Sequence, residues 1–359
     1  MNTGGIAQKL IDFAKILVGR IPGGLAHTNI LGNTLFGSLS GSSVAASVAI
    51  GGVLIPMEEK EGYDKKFAAA VNIASAPTGL IIPPSGILII YPVLAGCSVV
   101  GMIMSGYIPG LMWALACMVV AYVIAKKNHY PTAGKVPASV FFKYFVDAIP
   151  SLLLIVIIVG GVMSGIFTAT ESAAVAVAYT LFLSIVVYRS IKIKDLSKIL
   201  LDACETTAVI MFLIAGSNVM SFVMSFTGLP SAIGNALISV SSNKYVILLI
   251  INLVLLVVGC FMDITPAVLI FTPIFLPVVQ SFGMDPIHFG IMMVMNLGIG
   301  NITPPVGSAL FSGCSVADMD MEDMIKPVLP FYAAIFVALM LVAYVPWFSM
   351  ALPTLFGAV

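Results

Sequence analysis

Two stretches of this chain gather hydroxyls, an amide and helix-breaking residues inside apolar sequence. They are Gly79-Leu80-Ile81-Ile82-Pro83-Pro84-Ser85-Gly86 and Gly300-Asn301-Ile302-Thr303-Pro304-Pro305-Val306-Gly307. Both read G-x-x-x-P-P-x-G, and 221 positions separate them. Adjacent prolines cannot continue a helix, because they lack N–H donors and clash with the preceding turn. Each motif sits in an apolar segment long enough to cross a bilayer, where broken backbone is tolerated only if it is buried in protein or lines a cavity. The carbonyls and hydroxyls of such a break are hard oxygen ligands suited to Na⁺. N–H groups at half-helix N-termini suit a carboxylate.

A polar tip precedes each break. The first, Gly37-Ser38-Leu39-Ser40-Gly41-Ser42-Ser43, holds four serines and two glycines, a poor helix interior but a good tight turn. It predicts a re-entrant hairpin; the other reading is one kinked transmembrane helix. The second tip runs from Gly259 to Pro266 and contains Asp263, the only acidic residue between Glu205 and Asp285. An ionised carboxylate at membrane depth is costly and marks a functional site. Its alternative role is to cap the second arm, accepting from N–H groups near Thr265. The candidate sodium and substrate groups are therefore Ser40, Gly41, Ser42, Ser43, Thr78, Gly79, Pro83 and Ser85 in a first region. A second region holds Asp263, Thr265, Asn296, Gly300, Asn301, Thr303, Pro304 and Gly307. Asn296, Asn301 and Ser308 could face substrate or make interhelical hydrogen bonds.

The 221-residue offset extends upstream, relating Pro56 to Pro277, Gly62 to Gly283 and Asp64 to Asp285. With the four motif positions, these identities at one offset imply an internal repeat. Gly/Pro-interrupted hydrophobic segments in matching places of two halves point to the binding site of a secondary transporter.

The elements that must position these residues are apolar helices. The chain is 60% hydrophobic and 9% charged, with a mean hydropathy of +1.12, against about 25% charged in soluble domains; it reads as an all-α polytopic membrane protein. Sixteen basic and sixteen acidic residues cancel, so no basic surface for nucleic acid is indicated. The five cysteines lie singly, without C-x-x-C spacing, and suggest neither a disulfide framework nor a transition-metal cage. No cofactor motif is present, and the absence of G-x-x-x-x-G-K-[ST] argues against ATP drive. The N-terminus shows no signal peptide.

In chain order, 1–27 is an amphipathic segment expected to lie on the membrane. Residues 28–95 form the first repeat, a hairpin over 28–57 and a broken helix over 66–95. Residues 96–245 are scaffold helices, with a turn at Thr168–Glu171 that fits a capping box and a short segment at 230–242 along the interface. Residues 246–313 form the second repeat, a hairpin over 246–282 and a broken helix over 287–313. A last scaffold helix lies in 314–359. His288 is expected near the interface, and Tyr91, Tyr107, Trp113 and Trp347 as aromatic-belt anchors. Basic loops at 126–143 and 189–198 should be cytoplasmic. Counting crossings from them, the first hairpin enters from the cytoplasm and the second from outside, so the two repeats are inverted.

These motifs carry a resemblance. The Met1-Asn2-Thr3-Gly4-Gly5-Ile6 start, Ser40–Ser43, Gly62-Tyr63-Asp64, Ile82–Ser85, Gly165–Glu171 and Thr303–Gly307 together resemble the large membrane subunit of tripartite ATP-independent periplasmic (TRAP) transporters, over the whole chain. The resemblance implies an ion-transporter-superfamily fold with a scaffold and an elevator-type transport domain in the bacterial inner membrane. It implies Na⁺ symport of an organic acid, a small membrane subunit, and a periplasmic substrate-binding protein. Family members usually carry roughly one or two membrane segments before the position of Met1, so the scaffold's N-terminus is expected to be missing. Ala46 and Gly298 stand where some sugar-acid and C4-dicarboxylate members have acidic residues; the second tilts the reading towards sugar acids. The rival readings are a stand-alone Na⁺/dicarboxylate carrier of the same superfamily and, remotely, an intramembrane hydrolase. An aspartyl hydrolase needs two opposed membrane carboxylates, and only Asp263 qualifies.

Overall fold

The computed structural model describes residues 6–132, 138–228 and 243–358, together with 232, 233, 236, 239 and 241. Most of the expected interfacial segment at 230–242 lies outside the described residues, as do Met1–Gly5 and Lys135. Regular structure among the described residues is helical throughout. Among the described residues, seven helices are long and apolar enough to cross a membrane, as about 20 apolar residues per span require.

Helix α1 (Ile6–Val18) buries Leu10, Ile11 and Ala14 against α2 (Gly24–Ser40) and α9 (Ala138–Met163). Lys9 pairs with Asp147 across that contact at 2.9 Å. Its apolar stripe thus meets protein as well as any lipid. Helices α2 and α3 (Ser43–Lys60) meet at Gly41-Ser42. Gly41 ends α2 in the left-handed region, φ 62°, which glycine enters without a Cβ clash. Ser42 then caps α3, its hydroxyl accepting from Ala45 N–H at 3.2 Å. Ser42→Ala is expected to cost about 1 kcal/mol, the usual worth of an N-cap, read as a lowered thermal unfolding midpoint of the purified protein.

The first interrupted helix follows as α4 (Lys65–Ser75), α5 (Thr78–Ile81) and α6 (Ile87–Ala95). Helices α7 (Val99–Ser105) and α8 (Tyr107–Lys127) form one 29-residue apolar stretch. After α9, the capping box at Thr168 and Glu171 is present and starts α10 (Ala169–Phe182). Helix α11 (Leu196–Thr227) precedes a second set: α12 (Lys244–Phe261), α13 (Ile264–Ser281), α14 (Pro286–Asn301) and α15 (Ser308–Ala317). Helices α16 (Met321–Tyr344) and α17 (Trp347–Leu355) close the chain. The helix starts Ser43 and Ile264, Lys65 and Pro286, and Ile87 and Ser308 are each 221 apart, the offset of the sequence identities.

Three residues expected near the membrane surface lie inside the protein. Trp113 and Tyr91 are fully buried. The Trp113 Nε1–H donates to Ala74 O at 2.9 Å, and Tyr91 Oη donates to Pro286 O at 2.6 Å. His288 is buried too, its Nε2 2.8 Å from Val342 O. Ala74 and Val342 stand in the last turns of α4 and α16, where carbonyls lose their intrahelical donors and a buried side chain can supply one. Trp347 is exposed.

Candidate functional site

The first break frees the carbonyls at the end of α4, because Pro77 cannot donate and the chain turns. Trp113 satisfies Ala74 O, and the Thr78 hydroxyl donates to Ser75 O at 2.7 Å. Thr34 on α2 donates to Thr78 Oγ1 at 3.3 Å. Pro83-Pro84 is a cis peptide, and so is Pro304-Pro305. Ser85 is buried, and its hydroxyl has no hydrogen-bond partner in the protein. An orphaned buried hydroxyl is the exception that needs an explanation, and a bound ion supplies one.

Each hairpin is pressed against the interrupted helix of its own half through a pair of glycines. A Cβ placed on Gly79 would stand 2.3 Å from Gly37 Cα, and one on Gly300 would stand 2.5 Å from Gly259 Cα. Backbone touches backbone at both places. Gly41 lies close to the first break as well, 3.3 Å from Gly86 N by the same measure. Ser40 is half-buried, its hydroxyl within reach of Gly37 O at 3.4 Å and Ser42 O at 3.5 Å.

The second break carries a polar chain that reaches both tips. Asn301, buried at the end of α14, donates through Nδ2 to Ser43 Oγ at 2.8 Å, across 258 residues of sequence. Its Oδ1 accepts from Ala309 N–H at 3.1 Å and from the Ser308 hydroxyl. That hydroxyl also faces Asp263 Oδ1 at 3.3 Å. Asp263 stands at the N-cap position of α13 but makes no side-chain cap bond, and it is exposed on the protein surface. The capping alternative is therefore set aside: the carboxylate is turned towards Ser308. Thr303 folds back onto Ile299 O at 2.6 Å, and Tyr332 donates to Ile302 O. Val306 N–H donates to Cys260 O at 3.2 Å, tying break to tip. Gly307 has φ 38° and approaches the Thr303 and Asn301 carbonyls, at 2.8 and 3.1 Å from an ideal Cβ.

The structure thus brings Ser42, Ser43, Asn301, Ser308, Asp263 and the Cys260–Gly307 backbone together. Pro304 and Thr265 flank this group, half-buried. A cavity of about 740 Å³ opens beside it, lined by Val44, Pro305, Val306, Ser308, Phe311 and Ser312 among others. That volume is within the range of small-molecule pockets, about 300–1,000 Å³. Ser40, Gly41, Pro83, Ser85, Gly79 and Thr78 cluster at the first tip and break. Asn296 stands apart from both groups. It lies within α14 and donates to Asn252 O and Oδ1 on α12, each at 2.8 Å, an interhelical bond.

Sequence reasoning passed over Gly37, Gly259 and a buried polar ladder between α2 and α4. Asn33 Nδ2 reaches Asn29 Oδ1, Asn72 Oδ1 and Ser75 Oγ, each at 2.9 Å. Asn72 in turn donates to Ser47 O at 2.9 Å, through space left by Gly51. The available signal was the spacing of Asn29 and Asn33, four apart in an apolar helix, which places both amides on one face.

An all-helical, multi-pass membrane protein whose two interrupted helices enclose polar groups belongs to the class of membrane permeases. Residues 1–348 match the family described as the tripartite ATP-independent periplasmic transporter, DctM component. The chain belongs to this family. It is 52% identical over 99% of its length to the YgiK protein of Salmonella typhimurium, covering 82% of that protein. It is 39% identical, again over 99%, to the C4-dicarboxylate TRAP transporter large permease protein DctM of Pseudomonas aeruginosa, covering 84% of it. The sialic acid TRAP transporter large permease protein SiaM of Vibrio cholerae is likewise 39% identical, with 83% covered. The latter two relatives are named large permease proteins, and the chain is a transport component rather than an enzyme.

Proposed function

We propose that this chain is the large permease subunit of a bacterial inner-membrane importer that couples uptake of an organic acid to Na⁺. The observation that carries this reading is the polar chain from Ser43 through Asn301 and Ser308 to Asp263, which joins the two hairpin tips. A sodium ion fits the first tip and break, where the Ser85 hydroxyl lacks a partner. A second fits the Asn301 and Thr303 carbonyls where they turn towards Gly307. The acid's carboxylate sits between them, beside the 740 Å³ cavity, held by hydroxyls, amides and helix ends.

The two halves act as inverted repeats, and the hairpins with their interrupted helices move as one elevator past the scaffold. Each net positive charge moved inward at 100 mV supplies about 2.3 kcal/mol, so more Na⁺ charges than substrate charges accumulate substrate. A small membrane subunit and a periplasmic binding protein complete the importer. Relatives are named for C4-dicarboxylates, sialic acid and 2,3-diketo-L-gulonate, and the substrate proposed here is a carboxylate of that chemistry, a sugar acid or a dicarboxylate.

The test is uptake into proteoliposomes holding this chain and its small subunit, with and without the binding protein, under an inward Na⁺ gradient. Uptake should require both the gradient and the binding protein. Uptake that persists without either would sink the proposal, and loss of the binding-protein requirement alone would favour a stand-alone carrier.

A further inference from the structure

Glu58 lies at the charged end of α3, the second arm of the first hairpin, outside the candidate membrane spans. Glu59, Lys60 and Glu61 beside it are exposed, whereas Glu58 is 0% exposed. Neither of its carboxyl oxygens has a hydrogen-bond partner. The Lys9–Asp147 and Lys66–Asp323 ion pairs do not involve it. It sits in the last turn of α3, where the helix dipole disfavours a negative charge.

The polar groups that reach it compensate its burial only in part. Asn29 approaches from α2, its Nδ2 without another partner, and pulls the carboxyl down by less than burial raises it. Glu61 repels it. The Tyr63 hydroxyl is already engaged, accepting from Leu25 N–H and donating to Pro131 O. Burying an ionised carboxylate without a partner costs several kcal/mol, and such groups neutralise instead. Burial, with a smaller push from Glu61 against the pull of Asn29, holds the Glu58 carboxyl well above the usual carboxylate range.

We propose that Glu58 is a proton-binding site: it carries a proton while the end of α3 is packed on α2 and releases it when that contact opens. The reaction is simple, carboxylate plus proton to neutral acid. The site also stands at one end of the buried ladder. Asn29 accepts from Asn33, which reaches Asn72 and Ser75, and Ser75 O accepts from Thr78 at the first break. Glu58 thereby links proton binding to the packing of α3 on α2, the helix whose amides reach that break.

The seated state binds the extra proton, so its stability is highest below the ordinary carboxylate range. It falls as pH rises towards the raised value. The experiment uses the full chain in detergent. Dicyclohexylcarbodiimide, which modifies protonated carboxyls in apolar surroundings, is applied at neutral pH and the adducts are located by mass spectrometry. Glu58 should be labelled several-fold more than exposed Glu59 and Glu61, because a buried carboxyl keeps its proton where an exposed one is ionised. Thermal unfolding is then followed against pH. Glu58→Gln, which mimics the neutral acid, should flatten the wild-type fall. His27→Gln should keep it, separating the buried titratable group of α2 from that of α3. Equal slopes in wild type and Glu58→Gln overturn the proposal, as does labelling of Glu58 no greater than that of Glu59. Neither readout requires transport, so a failed uptake assay leaves this inference standing, and its failure leaves the proposed function standing.

Discussion

Gly300→Ala and Gly79→Ala are expected to abolish uptake and to destabilise the protein, whereas Gly86→Ala should do neither. All three glycines occupy the repeated motif, so their letters alone assign them one role. Their surroundings differ. A Cβ at Gly300 falls 2.5 Å from the Gly259 backbone, and one at Gly79 falls 2.3 Å from Gly37 Cα. The opposing residue is already glycine in both pairs, so no side chain can rotate aside and a helix arm must move. Overpacking by a single group costs about 1–3 kcal/mol, and a backbone contact belongs at or above the top of that range. Gly86 has α-helical φ and ψ and nothing within 4 Å of its Cβ position. Uptake by each variant, with the unfolding midpoint measured in parallel, checks the ordering. A Gly300→Ala protein with wild-type stability would show that the second hairpin does not press on its interrupted helix.

The second large effect is expected at Asn301. Alanine there leaves Ala309 N–H, Ser308 and Ser43 without their partner, all of them at the junction of two tips and one break. A buried polar group left unpaired costs about 1–3 kcal/mol. Asn301→Ala should therefore reduce uptake by on the order of a hundredfold, the equivalent of about 2.7 kcal/mol. Ser43→Ala should cost less, because it removes one bond of the set. The double variant should fall short of the sum, with a coupling of about 0.5–3 kcal/mol, as residues in one hydrogen-bond network do. Additive effects would mean that the Ser43–Asn301 bond contributes nothing to the working site.

The polar chain and the glycine pairs were unequally legible. Asn301, Ser43, Asp263, Gly79 and Gly300 stand out by type, because each is polar or helix-breaking where its neighbours are apolar. Their partners are less visible. Gly37 and Gly259 look like ordinary tip residues until a second backbone is laid against them. Asp263 reads in the sequence as a cap, a site residue or both, and only the structure shows that its carboxylate makes no cap bond and faces Ser308. Trp113, Tyr91 and His288 match the composition of a membrane interface, yet each bonds a carbonyl inside the protein. That demand arises in a different helix from the donor, so no local pattern announces it.

Sequence alone determined that the chain is a polytopic helical membrane protein, where two of its helices break, and that the breaks recur at a 221-residue offset. Those properties are local: proline and glycine stop a helix through their own geometry, and apolar length sets a span. Tertiary structure alone decided that Asn301 meets Ser43 across 258 residues, that Gly79 differs from Gly86, and that Glu58 is buried while Glu59 is not. Those depend on which helix faces which. Close approach and the withdrawal of a charge from solvent are properties of two surfaces, and one stretch of sequence specifies only one of them.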